Sequence, residues 1–324
     1  MAGVVKQVCS PVELGEGPHW VQGQKALYYV DIRKGYVHRY FPDQDKHQSL
    51  KVEAAGSGDS VSLVVPVAGS SDLYVVGIGR SIGIVHWPLN APDKHQTKAT
   101  VLQTIDDQSP NNRFNDGKCD PQGRLWAGTM GHESEPAVLE KEKGSLFCLD
   151  TANNISKWVD KVSISNGLAW TQDKGTFYYI DSLAFSVDAF DYDDTTGKIS
   201  NRRVVFDFKK SNVEGIPDGM TIDTDGNLWV ACFLGSKVIC VEPKSGSLKC
   251  KVDLPARDIT SVCWGGDDYA TLFVTSAQTG HSSEELSKKP YEGATFTITG
   301  LGAKGFPPVD YKADLNMIKT KMAL

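Results

Sequence analysis

The chain repeats itself, and the period of the repeat narrows the fold more than any other feature. The stretch HWVQGQKALYYVDI (His19–Ile32) returns 150 positions later as AWTQDKGTFYYIDS (Ala169–Ser182). In each, a Trp leads through a polar turn to Tyr-Tyr-(Val/Ile)-Asp. WGGDDYATLFVTS, starting at Trp264, and VPVAGSSDLYVVG, with Val65 in the Trp place, extend the pattern. DGKCDPQGRLWAGT and DGMTIDTDGNLWVAC are further copies with shorter turns, so six copies are registered on Trp20, Val65, Cys119, Trp170, Ile222 and Trp264. Successive register residues stand 42 to 54 positions apart. Each copy reads as apolar strand, Gly/Asp/Lys turn, then aromatic and β-branched strand, which is a hairpin. More strand–turn–strand follows each copy, as in SVDAFDYDDTTGKISNRRVVFDF.

A purely β repeat of this length is one four-stranded blade, so the spacing predicts an all-β, six-bladed propeller. With no Pro/Ser/Gly-rich linker between copies, residues 1–324 are expected to form one domain. Val4–Val12 is expected to close the ring beside FTITG (Phe296–Gly300). Only 137–143 and 313–322 show a modest helical period. Residues 104–112 and 279–291 are expected as surface loops, and 307–324 as a loose tail.

Composition removes several function classes. A net charge of -6 and a pI near 5.7 give no basic footprint for nucleic acid. No apolar run approaches the ~20 residues of a membrane span. The amino terminus lacks the charged-then-apolar layout of a secretory signal, so a cytoplasmic monomer is expected. The seven cysteines include no CxxC pair and read as reduced, buried thiols.

In a propeller the innermost strands line a central tunnel, and equivalent positions face one axis. Four residues before each register position stand Glu16, Val61, Asn115, Asn166, Asp218 and Thr260. Taken singly, Asn-Gly and Asp-Gly are ordinary turn signals. Taken together, Glu16, Asn115, Asn166 and Asp218 are oxygen donors converging on the axis. Buried carboxylates that converge need a counter-ion. A hard set of carboxylates and amides without Cys or His suits one divalent cation: Ca²⁺ by donor type, with Mg²⁺, Mn²⁺ or Zn²⁺ as alternatives.

Other motifs fail on a necessary residue. DYDDTTG (Asp191–Gly197) opens like an EF-hand, but the twelfth position is Arg202. His132-Glu133 opens like HExxH, but Pro136 stands in place of the second His. Strand alternation sends Arg113 inward with Asn115, toward the tunnel mouth, and turns Asp116 away. The long polar loop after Trp126 is expected to cover a mouth and bring Glu133 over the site.

The motifs GEGPHW, RFNDGKCDPQGR, AGTM, ISNGLAW, FYYIDS, VDAFDYD, ISNRR, PDGM, GNLWVA and ITGLGAKGF together resemble the family of regucalcin, gluconolactonase and luciferin-regenerating enzyme. The resemblance runs from Glu13 to Phe306. It implies a six-bladed propeller with Glu16, Asn166 and Asp218 as ligands of one divalent metal. It also implies that Arg113, Asn115 and the lid residue Glu133 bind substrate, with Asp218 as proton acceptor and donor. The implied activity is hydrolysis of sugar-acid lactones by water activated at the metal. Oxyluciferin turnover and non-catalytic calcium-binding regulation are the alternatives the family allows. Gly131-His132 in the lid, and the length of chain after Phe306, depart from the usual pattern.

Overall fold

The computed structural model describes residues 3–53, 60–135 and 138–323. Six sheets follow one another around a ring, each starting with an innermost strand that packs against the next blade's innermost strand. Those strands are Gly15–Val21, Val61–Pro66, Arg113–Cys119, Ser165–Trp170, Ile216–Ile222 and Asp258–Gly265. Each opens an antiparallel four-stranded blade, and blade 1 gains a fifth, parallel strand, Lys94–Lys98. Blade 6 is completed by the amino terminus. Val4–Cys9 pairs antiparallel with Thr295–Thr299, which closes the ring as the sequence predicts.

The repeated aromatic residues explain how the blades hold together. Ala26–Asp31, Leu73–Ile78 and Leu125–Met130 are buried along their whole length, so both faces of these strands pack against neighbouring blades. Between blades 1 and 6, Trp20 stacks on Phe273 with ring centroids 5.3 Å apart. Between blades 5 and 6, Trp229 meets Trp264 edge-on at 5.4 Å. Tyr28 of blade 1 stacks on Tyr74 of blade 2 at 4.9 Å. Flat rings fill wedge-shaped gaps with large buried area and little rotamer entropy. The outermost strands are charged and exposed; Ser247–Asp253 is exposed at six of its seven positions, a pattern that discourages edge pairing.

The two short-turn copies carry their own device. Asp120 accepts from the backbone N–H of Gln122 and Arg124 and from Trp126 Nε1 at 3.0 Å. Asp223 does the same for Asp225 N, Asn227 N and, at 2.9 Å, Trp229 Nε1. One carboxylate thus shapes the turn and aims the indole.

Three sequence expectations need correction. Residues 307–324 are packed against the propeller. Tyr311 and Ile318 are fully buried among Val67, Leu73 and Leu125. Tyr311 exchanges backbone hydrogen bonds with Pro66 and Ala68 and donates through its hydroxyl to Asp150 O at 2.8 Å. The helical pattern at 313–322 is a helix, Leu315–Met322, capped by Asp314. In the 137–143 candidate, residue 137 lies outside the described residues, and Val138–Leu139 pairs with Glu133–Glu135 as a two-stranded ribbon instead of a helix. The 279–291 loop contains a short helix, Ser283–Lys288, started by a Ser282/Glu285 capping box. Of the cysteines, all free, Cys250 is exposed and the other six are buried. No helix among the described residues is long and apolar enough to cross a membrane.

Candidate functional site

Every innermost strand slips register against its neighbour close to the same level. The shifts fall between Glu16/His19, Val61/Val64, Phe114/Gly117, Ser165/Leu168, Pro217/Met220 and Ile259/Ser261. An unpaired residue in a ladder bends the strand and re-aims its side chains. Asn115, Asn166 and Asp218 each sit inside such a break, and Glu16 directly before one.

The strands are also pinned just ahead of these positions. Asp31, the last residue of Tyr-Tyr-Val-Asp, accepts from Glu13 N at 3.0 Å and Leu14 N at 3.2 Å. Asp181, the last residue of Tyr-Tyr-Ile-Asp, accepts from Ser163 N and Ile164 N, both at 3.1 Å. The duplicated sequence therefore does the same work in blades 1 and 4. Its Asp fixes the backbone two residues before Glu16 and two before Asn166.

At the hub, Glu16, Asn115, Asp116, Asn166 and Asp218 are all buried, between 3% and 8% exposed. Asn166 donates through Nδ2 to Ser182 Oγ at 2.8 Å, leaving Oδ1 to accept from Asn115 Nδ2 at 3.2 Å. Asn115 also donates to Ser165 O at 2.9 Å, and its Oδ1 accepts from an Arg113 guanidinium nitrogen at 2.8 Å. Burial, then the negative charge of Asp116, pushes Glu16 up to about 8, against the Gly17 N–H and the Arg113 charge. Burial, then Glu16 and Asp116, holds Asp218 well above the usual carboxylate range. Among the described residues, Asp218 Oδ1 is buried without a hydrogen-bond partner.

Asp116 accepts from the Gly117 N–H at 2.7 Å, and it lies near enough for its negative charge to raise both Glu16 and Asp218. The ladder break between Phe114 and Gly117 suspends the strict alternation of side chains along this strand. Lys118 lies on the far side; burial lowers its pKa, and its Nζ donates to Met220 O at 2.7 Å.

Of the two register positions without an expected ligand, Val61 joins the apolar core. Thr260 donates to Gly15 O at 2.5 Å, tying blade 6 to the backbone before Glu16.

Three buried carboxylates from blades 1, 3 and 5 are only partly offset by the charges of Arg113 and Lys118, and Asp218 Oδ1 is left without a partner among the described residues. With the Asn166 amide oxygen beside them, the donors are all oxygen. The set fits a hard divalent ion.

Above the hub the mouth opens into a cleft of about 790 Å³ lined by Arg33, Arg80, Arg113, His132 and Glu133 among others. Glu133 accepts from Arg33 at 2.9 Å, and it is the carboxylate that most strongly holds up the Arg113 pKa, which burial lowers to about 10. Glu133, on the ribbon, thus borders the same cleft as Arg113. Arg33 was not legible as a site residue; its one sequence signal is its position two residues after Asp31. The opposite mouth is covered by Phe306–Val309, and Asp310 approaches His19 Nε2 to 3.7 Å.

The ring of blades and its oxygen-lined hub define a class, the six-bladed propellers with a cation-suited tunnel. Within that class the chain belongs to the SMP-30/gluconolactonase/LRE-like family, whose model matches residues 14–278. It is 46% identical to regucalcin of Gallus gallus over 298 residues, 92% of this chain and 94% of that protein. The structure of a luciferin-regenerating enzyme superposes with a TM-score of 0.87 at 37% identity, covering 96% of this chain and 99% of the other. A calcium-binding regucalcin from Agrobacterium tumefaciens superposes at a TM-score of 0.82 and 22% identity, over 96% and 97% of the two chains, a likeness of fold.

Proposed function

We propose that the protein is a divalent-cation-dependent lactonase that opens sugar-acid lactones at the hub. The observation that carries this reading is the buried pair Glu16 and Asp218, the charge of the first raising the second and Asp116 raising both, with Asp218 Oδ1 unpartnered among the described residues. Glu16, Asn166 and Asp218 would hold the ion, with Ca²⁺ favoured by the all-oxygen set and Zn²⁺, Mn²⁺ or Mg²⁺ as competitors. When bound, the cation supplies Lewis-acid polarisation of the lactone carbonyl.

The chain's own residues supply the rest. Arg113, held by Asn115 Oδ1, presents its remaining guanidinium donors to the carbonyl or sugar hydroxyls. Asn115, whose two N–H bonds are taken by Ser165 O and Asn166 Oδ1, keeps an oxygen lone pair to accept from a sugar hydroxyl. Asp218 accepts the proton of the attacking water and returns it to the ring oxygen as the ester C–O bond breaks. Burial and two neighbouring carboxylates raise the proton affinity of Asp218, and cation charge lowers it; the two effects oppose each other and bring the group toward the range useful for proton transfer. Glu133, held by Arg33, borders the substrate cleft and would hold the substrate from the lid.

The test is hydrolysis of gluconolactone by chelated protein after readdition of each of the four cations. Activity is expected to return with the cation and to be lost in Asp218→Asn; a variant with full cation-dependent activity would refute the assignment. Oxyluciferin assayed in parallel decides the second reading, which rests on the 37% identity to a luciferin-regenerating enzyme.

A further inference from the structure

Outside the hub, one cluster combines metal-ligating chemistry with an unexplained buried atom. Asp258, His281 and Glu292 each offer a ligand atom, all within 4.8 Å of one another. They come from three separate segments of blade 6. Asp258 begins the innermost strand, His281 follows the second strand Thr271–Ala277, and Glu292 precedes the third, Thr295–Thr299. The side chains of Asp258 and His281 are 0% and 2% exposed, and Glu292 is 3% exposed.

His281 Nε2 has no hydrogen-bond partner among the described residues, although it is buried and points at Asp258 Oδ2 from 3.5 Å. Both Glu292 oxygens face one backbone N–H, that of Arg257, at 3.1 and 2.9 Å. Asp258 is gripped from its outer side by the Arg257 guanidinium, through Nε at 2.8 Å and a terminal nitrogen at 3.2 Å. Of the two buried carboxylates, only Asp258 is bonded to the Arg257 guanidinium, a side chain 45% exposed, while Glu292 meets the Arg257 backbone alone. Each carboxylate oxygen keeps a second lone pair, and the imidazole keeps one nitrogen.

We infer that Asp258, His281 and Glu292 form a second cation site, separate from the hub and selective for a Zn²⁺-like ion. One imidazole nitrogen and two carboxylates are the donor types of a three-ligand zinc site with an open fourth position. The hub, with oxygen donors only, favours the harder ion. The rim ion does structural work. It fastens the excursion between the second and third strands, including the helix Ser283–Lys288, onto the start of the innermost strand. The Arg257 guanidinium pairs with one of the three ligands, Asp258, and so competes with the cation for it. Nothing here depends on the hub being catalytic.

The test uses the full chain with the hub disabled by Glu16→Gln and Asp218→Asn together, chelated and then titrated with ZnCl₂ while calorimetry follows binding. One equivalent of zinc is expected. His281→Gln, placed on that background, should weaken binding at least tenfold, and Arg257→Met should tighten it by removing the competing cation. Co²⁺ should give visible d–d absorption that disappears in His281→Gln. Zinc should also slow proteolysis within 283–291. If His281→Gln fails to fold by circular dichroism, Glu292→Gln serves as the same test. No zinc bound by the hub-disabled chain, or an unchanged isotherm in a folded His281→Gln or Glu292→Gln variant, overturns the proposal.

Discussion

Asp31 and Asp181 stand at the same place in blades 1 and 4 and perform the same act. Each carboxylate accepts two backbone N–H groups from the segment entering the innermost strand of its own blade. The strand ends so fixed carry Glu16 and Asn166. Neither Asp is proposed to touch the cation, yet each determines where a ligand stands. Asp181→Ala is expected to weaken hub cation binding by about 10- to 100-fold, the usual scale for residues that orient metal ligands. Calorimetric Ca²⁺ titration measures it; an unchanged Kd in a folded variant would remove Asp181 from the site's support.

Removing a hub carboxylate should have opposite effects on stability and function. Without cation, Glu16, Asp116 and Asp218 destabilise one another. Asp218→Asn is therefore expected to raise the melting temperature of chelated protein by a few degrees, since about 1 kcal/mol corresponds to ~2–4 °C or less in a domain this large. The same change should abolish cation-dependent stabilisation and lactone hydrolysis. Thermal scans with and without Ca²⁺ check both; a lower melting point in chelator contradicts the repulsion argument.

The lid contact is predicted to act on substrate binding. Arg33 and Glu133 are both partly exposed, 32% and 26% by side chain, so their ion pair contributes at most about 1 kcal/mol to folding. Arg33→Ala should leave the melting temperature nearly unchanged and raise KM for gluconolactone several-fold, with kcat little altered. A large fall in kcat at constant KM would place Arg33 in the chemistry instead.

His38 predicts acid sensitivity. It is buried, stacked on Tyr29 at 5.0 Å and on His47 at 5.2 Å, and neither ring nitrogen has a partner among the described residues. Burial, with the nearby His47, lowers its pKa from 6.5 to about 3. Between those values the unfolded chain binds a proton that the folded chain does not. Stability therefore rises with pH across this window and is lost as pH falls, by about 1.4 kcal/mol per unit for one proton. His38→Phe keeps an aromatic ring in the stack and should flatten the acid limb of denaturation midpoints between pH 4 and 7. An equally steep limb would assign the acid sensitivity elsewhere.

The carboxy-terminal segment should behave as core. Tyr311→Ala removes a fully buried ring and its hydrogen bond to Asp150, at a cost of about 3–5 kcal/mol. Urea denaturation is the measurement; a loss under about 1 kcal/mol would return the segment to the status of a loose tail.

The architecture was legible because every blade must bury aromatic strands against its neighbours, and that demand recurs in the same words around the ring. The hub was legible because counting from the repeated residue reaches equivalent positions on each innermost strand. The nearness of Asp116 to Glu16 and Asp218 was not legible, because alternation of side chains is suspended where a ladder slips and no local residue type announces a slip. The docking of 307–324 was hidden by sparse anchors: Tyr311 and Ile318 are isolated apolar residues in polar surroundings. The trio of Asp258, His281 and Glu292 has no motif at all, since only the blade's folding brings its three segments together.

Val4–Cys9 is held to Thr295–Thr299 by backbone pairing, not by a covalent link. During synthesis that first strand emerges with its edge bare and stays so until the end of the last blade has been made. Sealing the circle must therefore wait for the sixth blade, with only the docking of the segment that carries Tyr311 and Ile318 later in chain order. Any fusion that crowds the amino end should be felt as a late failure.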